Sequence, residues 1–297
     1  MPGTGSPFSR SDADLADGVS PLALVAILVG NSRVRVAAVR GTEVAQAWSV
    51  DVHAPDAPAQ TLGRAREALA LLDGPTFVLA SVNAPRAEAI ESAIVAAGHE
   101  VYRFGRDLEI PIARALDDDS TVGHDRLLAA LGAFARFRQA CVVIDAGTAI
   151  TVDFVDGEGT FQGGAIAPGV TLGLRALHQQ TAALPEIVYA KPDAARGPFG
   201  KDTRHAMVLG VHAAAVGLAH HLIDTYAEAY GGYPRVIATG GDAPALFEHD
   251  ALVEVVDPEL VIRGMAHACL LLLGQVHDPS DDLNDDDAGP DDRRDED

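Results

Sequence analysis

Residues 141–169 combine a carboxylate, several glycines and a hydroxyl at the end of a buried strand, a combination suited to phosphate chemistry. The apolar strand 141–144 ends on Asp145, and the small residues 146–149 follow before the chain enters another β-rich run. Glycine lets the backbone approach a ligand closely, Thr148 offers a hydroxyl, and main-chain N–H groups can face an anion. The carboxylate needs a cation between itself and a phosphate, because both are negative. Taken alone, the segment fits a phosphate-binding hairpin and a tight hairpin with a polar tip about equally well.

The composition is that of a folded and strongly acidic chain. The 297 residues suffice for two domains of ordinary size, and 48% hydrophobic residues can fill a core. The formal net charge of −21 argues against nucleic acid as a partner, because an acidic surface repels a polyanion. No apolar run in the sequence approaches the roughly 20 residues that a membrane-spanning helix needs, so we expect no membrane partner.

The two ends and the cysteines bear on where the chain works. Residues 1–20 lack the basic and then apolar layout of a secretory signal, and we expect them to be a disordered leader. Residues 280–297 hold ten acids and two arginines, a charge of −8 that cannot bury apolar surface and that predicts a disordered tail. Cys141 and Cys269 lie in apolar runs, which is typical of buried thiols in a reducing compartment. We therefore expect a cytoplasmic location.

The two halves of the chain open with the same pattern of three short strands joined by hairpin turns. The predicted opening strands are 22–29, 34–39 and 44–50 in the first half, and 141–145, 150–155 and 161–166 in the second. Further strands are predicted at 76–81, 100–103 and 235–238, and helices at 60–72, 86–97, 123–137, 171–181, 203–230 and 260–273. This repeat predicts an α/β fold with an N-terminal lobe over 21–138 and a C-terminal lobe over 139–279. The turns at Gly30 and Gly147 should then face one cleft, where ligands of open α/β sheets bind.

Five blocks of sequence follow one another along the chain. They are GNSR (30–33), VGHDR (122–126), VIDAGTAITVD (143–153) with GGAIAPG (163–169), GKDT (200–203), and ATGGDAP (238–244) with VDPELVIRG (256–264). Together these blocks resemble the type III pantothenate kinases, a family within the superfamily of actin-like ATPases and sugar kinases. The resemblance covers residues 21–275. It implies an α/β fold with two actin-like (ribonuclease H-like) lobes and a central cleft.

The family resemblance also implies an activity and its ligands. The activity is ATP-dependent phosphorylation of pantothenate to 4'-phosphopantothenate, the first step of coenzyme A biosynthesis. The implied cofactors are ATP with Mg²⁺, and a monovalent cation, K⁺ or NH4⁺. The implied assembly is a homodimer.

The same resemblance gives roles to residues of these blocks. Asp125 matches the catalytic proton acceptor, which draws the proton from the pantothenate hydroxyl as that oxygen attacks the γ-phosphate. Asp145 matches the ligand of the monovalent cation. The pantothenate contacts are Gly123, His124, Asp125, Arg126, Thr203 and the residue at position 116, Leu116. The ATP contacts are Gly30, Asn31, Ser32, Arg33, Thr148, Gly240 and Gly241, and Thr239 belongs to the same adenosine-flanking loop.

Three of these residues also fit purely structural roles. Asp125 lies near a helix start, where a carboxylate favours the helix dipole. Arg126 could form a surface ion pair of little energetic weight, and Thr203 could cap the long helix that follows it. The surrounding blocks favour the catalytic role for Asp125 and an anion contact for Arg126, whereas Thr203 could serve both purposes.

Two positions depart from the family pattern. Leu28 stands where the first strand ordinarily ends in an acid, in the form Asp-x-Gly-Asn-Thr, which helps to hold the magnesium ion between the β- and γ-phosphates. Leucine offers no oxygen to a hard cation, and no other acid lies in residues 22–42. Leu116 stands where the family has a tyrosine, seven residues before Gly123, so an apolar wall remains without the phenolic hydrogen bond.

These departures leave three functions open. The first is a working pantothenate kinase with a modified metal site, which the presence of Asp125 and Thr148 favours. The second is a catalytically impaired family member that acts as a ligand-binding regulator or accessory factor, which Leu28 favours. The third is phosphorylation of another small hydroxy compound, and the intact GHDR and GKDT blocks speak against it.

Overall fold

Two five-stranded sheets with the same internal order form the framework of the chain. The computed structural model describes residues 22–274, so the predicted leader (1–20) and acidic tail (280–297) lie outside the described residues. Counted along the chain within each sheet, the strands follow the order 3-2-1-4-5 in both. The repeat of the two halves that the sequence predicts is therefore confirmed at the level of sheet topology.

The first sheet contains β1 (Ala23–Val29), β2 (Arg33–Arg40), β3 (Glu43–Asp51), β4 (Thr76–Ser81) and β5 (Val101–Arg103). β1, β2 and β3 pair antiparallel as successive hairpins, whereas β4 pairs parallel with β1 and β5 parallel with β4. Successive residues of a strand point to opposite faces, so Val25 and Ile27 pack with α1 (Ala57–Leu69) and α2 (Ala84–Ala96). Leu24 and Ala26 point to the other face, into an apolar cluster shared with the second half of the chain.

The second sheet contains β6 (Cys141–Ala146), β7 (Ala149–Val155), β8 (Phe161–Pro168), β9 (Arg235–Thr239) and β10 (Val255–Val256). Its helices are α4 (Val170–Gln180), α5 (Thr203–Tyr230), α6 (Ala243–Phe247) and α7 (Leu260–Leu272), with a short 3-10 helix at Ala194–Arg196. Cys141 and Cys269 are buried and free, as their apolar surroundings predict.

A close helix crossing joins the two halves. α3 (His124–Phe137), which follows β5, packs against α7 at two glycines, Gly132 and Gly264. A Cβ atom on Gly132 would lie 2.8 Å from the Leu260 carbonyl oxygen, and one on Gly264 would collide with the Leu128 carbonyl. The two backbones therefore touch directly, and this contact holds the ends of both sheets beside one cleft.

The predicted strands and long helices are confirmed, with differences at short elements. α1 begins at Ala57, three residues before its predicted start, with a proline in its first turn. α6 and β10 were not predicted, because five and two residues are too few to show a hydrophobic period. The lobe limits 21–138 and 139–279 stay a prediction.

Helix α5 has the predicted bounds and is more apolar than the sequence analysis expected. An 18-residue window of this 28-residue helix has a mean hydropathy of 1.6, and 22% of that window is buried. Among residues 22–274 it is the one helix that meets the length and composition of a membrane span, a test that core helices of soluble proteins also pass. It follows that α5 leaves apolar surface uncovered in the single chain.

Candidate active site

Two hairpin turns meet at the mouth of the cleft. In the β1–β2 turn, the Gly30 N–H donates to the Arg33 carbonyl at 2.9 Å, and in the β6–β7 turn the Gly147 N–H donates to the Ala149 carbonyl at 2.9 Å. The Ser32 Oγ atom lies 2.7 Å from the Thr148 Oγ1 atom, within hydrogen-bonding distance. The structure therefore brings the first and third predicted blocks together, and both turns face the same cleft.

The loop after β9 closes the floor behind these turns. Gly240 has a φ of 93°, and a Cβ atom there would collide with the Ala146 carbonyl and with the Asp145 carboxylate. The Asp242 N–H donates to the Ala146 carbonyl at 2.9 Å, which fastens the loop to the end of β6. A Cβ atom on Gly241 would lie 3.5 Å from Nη1 of Arg33, so the first turn also reaches this loop. Glycine is required at position 240 because its backbone approaches β6 too closely for any side chain.

Asp125 lies in the first turn of α3 and is half-buried. The Arg126 N–H donates to Oδ1 of Asp125 at 2.8 Å, and a Cβ atom on Gly123 would lie only 2.5 Å from this oxygen. Gly123 thus leaves the space that the Asp125 carboxylate occupies. His124 lies against Gly105, where a Cβ atom would overlap the imidazole ring. Nothing in the sequence near Gly105 points to this contact.

Three carboxylates lie close together on the cleft floor. Burial raises the pKa of Asp145 to about 7, with a smaller contribution from the nearby charges of Asp125 and Asp153. Burial also raises the pKa of Asp125, and the Arg126 N–H bond and guanidinium charge oppose that rise. Such crowding of like charges favours a bound cation or a bound proton.

Asp153 is the main residue of the site that the sequence analysis did not identify. The Nε–H group of Arg126 donates to both Asp153 oxygens at 3.1 Å, and Nη2 also contacts Oδ1. The Arg126 guanidinium lies over the Phe161 ring, 5.5 Å from its centroid. Arg126 is therefore engaged in a buried ion pair, not in the surface pair considered from the sequence. A single acid in the otherwise apolar strand β7 was the available signal.

Among the predicted pantothenate contacts, His124 lines a cavity of about 470 Å³. The other lining residues include charged side chains such as Arg106 and Arg114 and apolar ones such as Ile110. Leu116 packs beside β8, where its Cδ2 atom would lie 3.1 Å from a Cβ atom on Gly163. A cavity of this size suits a small organic molecule.

Thr203 stands apart from these residues within the described part of the chain, and no hydrogen bond links it to them. It is exposed at the first position of α5. The N-cap is Asp202, whose carboxylate accepts the His205 N–H at 2.8 Å. The structural role considered for Thr203 therefore belongs to its neighbour.

Leu28 lies beside a guanidinium. In the β1–β2 ladder Leu28 is paired with Arg35, so both side chains are on the same face of the sheet. Arg35 forms an ion pair with Glu259 at the start of α7, and the Glu259 Oε2 atom is buried without a hydrogen-bond partner. Within residues 22–274, no group of three or more His, Cys, Asp or Glu side chains is placed to hold a metal ion. The end of β1 does not fit a protein-held divalent cation.

Comparison with known proteins decides the family. The model of the type III pantothenate kinase family matches residues 24–225. The chain belongs to this family. It is 42% identical over 159 residues to the type III pantothenate kinase of Rhodospirillum rubrum, and the aligned residues cover 54% of this chain and 61% of that protein. It is 39% identical over 188 residues to the one of Acidiphilium cryptum, covering 59% of this chain and 70% of that protein. The matched stretch thus spans about three fifths of the first relative and seven tenths of the second.

Two solved structures resemble the fold. A conserved protein from Campylobacter jejuni, assigned to the Baf family of transcriptional activators, aligns with a TM-score of 0.51 at 18% identity, over 86% of this chain and 100% of that one. Component A of (R)-2-hydroxyglutaryl-CoA dehydratase from Acidaminococcus fermentans aligns with a TM-score of 0.50 at 16% identity, over 86% and 98%. At such identities the likeness concerns the fold alone. Together with the repeated sheets, it confirms the predicted α/β fold with actin-like lobes.

Proposed function

We propose that the chain phosphorylates pantothenate with ATP, giving 4'-phosphopantothenate. The observation that carries this proposal is the Asp125 carboxylate, which forms no ion pair within residues 22–274 and whose charge acts on Asp145, at the end of β6 beside the second hairpin turn. Asp125 accepts the proton of the substrate hydroxyl as that oxygen attacks the γ-phosphate. Its raised pKa suits a base, because a carboxylate of higher pKa holds a proton more readily near neutral pH.

The pantothenate site is proposed to lie around the start of α3. Gly123 and His124 form its wall, Leu116 adds apolar surface, and Arg126 contacts an anionic group. Guanidinium donors suit carboxylate and phosphate oxygens.

The ATP site is proposed to lie between the hairpin turns and the β9–α6 loop. Gly30 and Asn31 bring main-chain groups near the phosphates, and the hydroxyls of Ser32 and Thr148 donate to phosphate oxygens. Arg33, Gly240 and Gly241 flank the rest of the nucleotide. The support is that these residues already lie together, including the contact of Arg33 with Gly241.

The residues present fit the monovalent cation better than they fit Mg²⁺. Bound K⁺ or NH4⁺ would be held by Asp145, whose crowded carboxylate fits a monovalent cation and would lose its raised pKa when one binds. Bound Mg²⁺ supplies charge neutralisation at the transferred phosphoryl group in this type of reaction. The end of β1 does not fit that ion, since Leu28 offers no oxygen and Arg35 is adjacent.

A homodimer that buries α5 completes the proposal. The apolar surface of α5, together with the exposed side chains of Ile166, Val188 and Phe199, is too large for solvent in a metabolic enzyme and suits a second copy of the chain. Thr203 at the start of α5 then contacts pantothenate at the interface. Sedimentation at micromolar concentration is expected to give a dimer, and a fully active monomer would refute this part. The cytoplasmic location also stays an expectation.

The test of the activity is phosphopantothenate formation by purified protein with ATP, Mg²⁺, K⁺ and pantothenate. Asp125→Asn should lower turnover by about 10²–10⁴-fold and leave ATP binding largely intact, because the amide keeps the shape and cannot accept the proton. Near wild-type turnover of this variant would show that Asp125 is not the base.

A second candidate function, a ligand-binding relative without catalysis, rests on Leu28 and its neighbour Arg35 alone, and the relatives named type III pantothenate kinase do not favour it. It requires pantothenate or nucleotide binding by the wild-type chain with no product formed under any cation condition. Calorimetric binding measured beside the turnover assay therefore separates the two functions.

A further inference from the structure

We propose that Asp153 is a positioning residue that holds the Arg126 guanidinium with its free Nη1 group directed at an oxyanion in the cleft. The inference deepens the proposed function and rests on it. The oxyanion is either the carboxylate of pantothenate or the phosphoryl group of ATP, and both present the same oxygens to a guanidinium.

The geometry of the pair leaves one side of the guanidinium available. Asp153 takes the Nε and Nη2 edge of Arg126 in a side-on pair. Nη1 makes no hydrogen bond within residues 22–274, and it is not among the buried polar atoms that lack a partner. The Arg126 side chain is 15% exposed, so Nη1 is left accessible to a ligand, and the Arg126 charge lies close enough to Asp125 to interact with it.

The surroundings of Asp153 fix its direction. It lies on β7, between β6 and β8, and is 1% exposed. Its partner across the β7–β8 ladder is Gly164, where a Cβ atom would collide with Oδ1 of Asp153. Gly164 therefore leaves the room that the carboxylate needs, and the Phe161 ring supports the guanidinium from below.

Asp153 also keeps Arg126 away from the proposed base. The charges of Arg126 and Asp125 already interact, and an unrestrained guanidinium would be drawn to the Asp125 carboxylate. Such a pair would stabilise ionised Asp125 and make it a weaker proton acceptor. With Asp153 in place, the arginine loses its rotamer freedom on folding, and less freedom remains to be lost on ligand binding.

The experiment compares Asp153→Asn with a matched control, Asp257→Asn. Asp257 is 8% exposed and accepts from Nε of Arg263 at 3.0 Å, so it belongs to a similar arginine pair outside the cleft. Dissociation constants are measured calorimetrically on the full chain for pantothenate, for its uncharged alcohol analogue pantothenol, for ATP and for ADP. Melting temperatures are recorded for each variant.

The expected result is selective. If the oxyanion is the carboxylate, Asp153→Asn raises the dissociation constant of pantothenate about tenfold or more and leaves that of pantothenol unchanged. If the oxyanion is the phosphoryl group, the same variant raises the dissociation constant of ATP to that extent and leaves that of ADP unchanged. Asp257→Asn, with a similar loss of melting temperature, changes none of the four. If Asp153→Asn does not fold, Arg126→Lys keeps the charge partner of Asp153, loses the planar fork and should show the same selective loss.

Two results overturn the inference: unchanged binding of all four ligands, or an equal loss for all four, which a merely structural pair would give. A wild-type chain that binds pantothenate and ATP without forming product would reject the proposed catalysis and leave the role of Asp153 open to this same comparison. A wild-type chain that binds none of the four would reject both.

Discussion

The exchange Leu28→Asp places a carboxylate directly opposite Arg35 in the β1–β2 ladder. We expect Arg35 to capture this carboxylate, since the guanidinium is already part of an ion pair with Glu259 on the same face. The new acid would then be unavailable to a metal ion. Leu28→Asp alone should therefore leave the magnesium dependence of turnover nearly unchanged. The double variant Leu28→Asp/Arg35→Gln should free the carboxylate, lower the magnesium concentration needed, and raise turnover about tenfold or more.

The expected change in stability is small for the single variant. Leu28 is only partly buried, so replacing it costs about 1–2 kcal/mol of apolar burial. A partly exposed ion pair returns up to about 1 kcal/mol. The net loss of roughly 1 kcal/mol corresponds to a fall in melting temperature of about 2–4 °C for a chain of this size.

The assay is turnover against magnesium concentration for wild type, both single variants and the double variant, with melting temperatures as the control for folding. Arg35→Gln alone shows what the loss of the Glu259 ion pair does by itself. If Leu28→Asp alone lowers the magnesium requirement as much as the double variant, Arg35 does not capture the carboxylate. Equal magnesium dependence in all four proteins would refute any role of position 28 in binding the ion.

Two further predictions concern stability. The pKa of Asp145 is about 7 in the folded chain, above the value near 3.9 of an unfolded aspartate. Between these two pH values the folded state binds more protons than the unfolded state. The free energy of unfolding should therefore fall as the pH rises from about 4 to 7. Asp145→Asn should remove most of this fall in urea unfolding without added monovalent cation, and an unchanged pH slope would contradict the assignment. Gly264→Ala should cost about 1–3 kcal/mol by forcing α3 and α7 apart, whereas the control Gly63→Ala on α1, with nothing within 4 Å of its Cβ position, should be neutral or stabilising. Equal melting temperatures for these two variants would show that the helix crossing tolerates a methyl group.

Local sequence patterns were sufficient to predict the elements that have a clear hydrophobic periodicity. The repeated hairpins could be predicted because turn residues such as Gly30 and Asn31 separate alternating apolar runs, and the topology follows once both halves obey one order. The residues at the two turns could be placed opposite each other for the same reason, as the contact of Ser32 with Thr148 confirms.

Contacts between distant segments were beyond sequence reasoning. Arg126 meets Asp153 across 27 positions, and only the placement of β7 beside α3 makes that acid a buried partner. The meeting of His124 with Gly105 depends on a loop conformation, with a φ of 82° at the glycine, that no local pattern indicates. The sequence analysis considered Thr203 as the cap of α5, and only the backbone shows that the preceding residue, Asp202, is the one used.

The contact between Ser32 and Thr148 competes with the proposed nucleotide for one hydroxyl hydrogen. The donating hydroxyl must give up this contact before it can donate to a phosphate oxygen, whereas the accepting hydroxyl keeps its hydrogen free. The two groups belong to the turns of different sheets and are 116 positions apart in sequence, so their contact also links the two sheets. In the proposed ATP site, nucleotide affinity is therefore lowered by the free energy of this internal contact, which is regained when the nucleotide leaves.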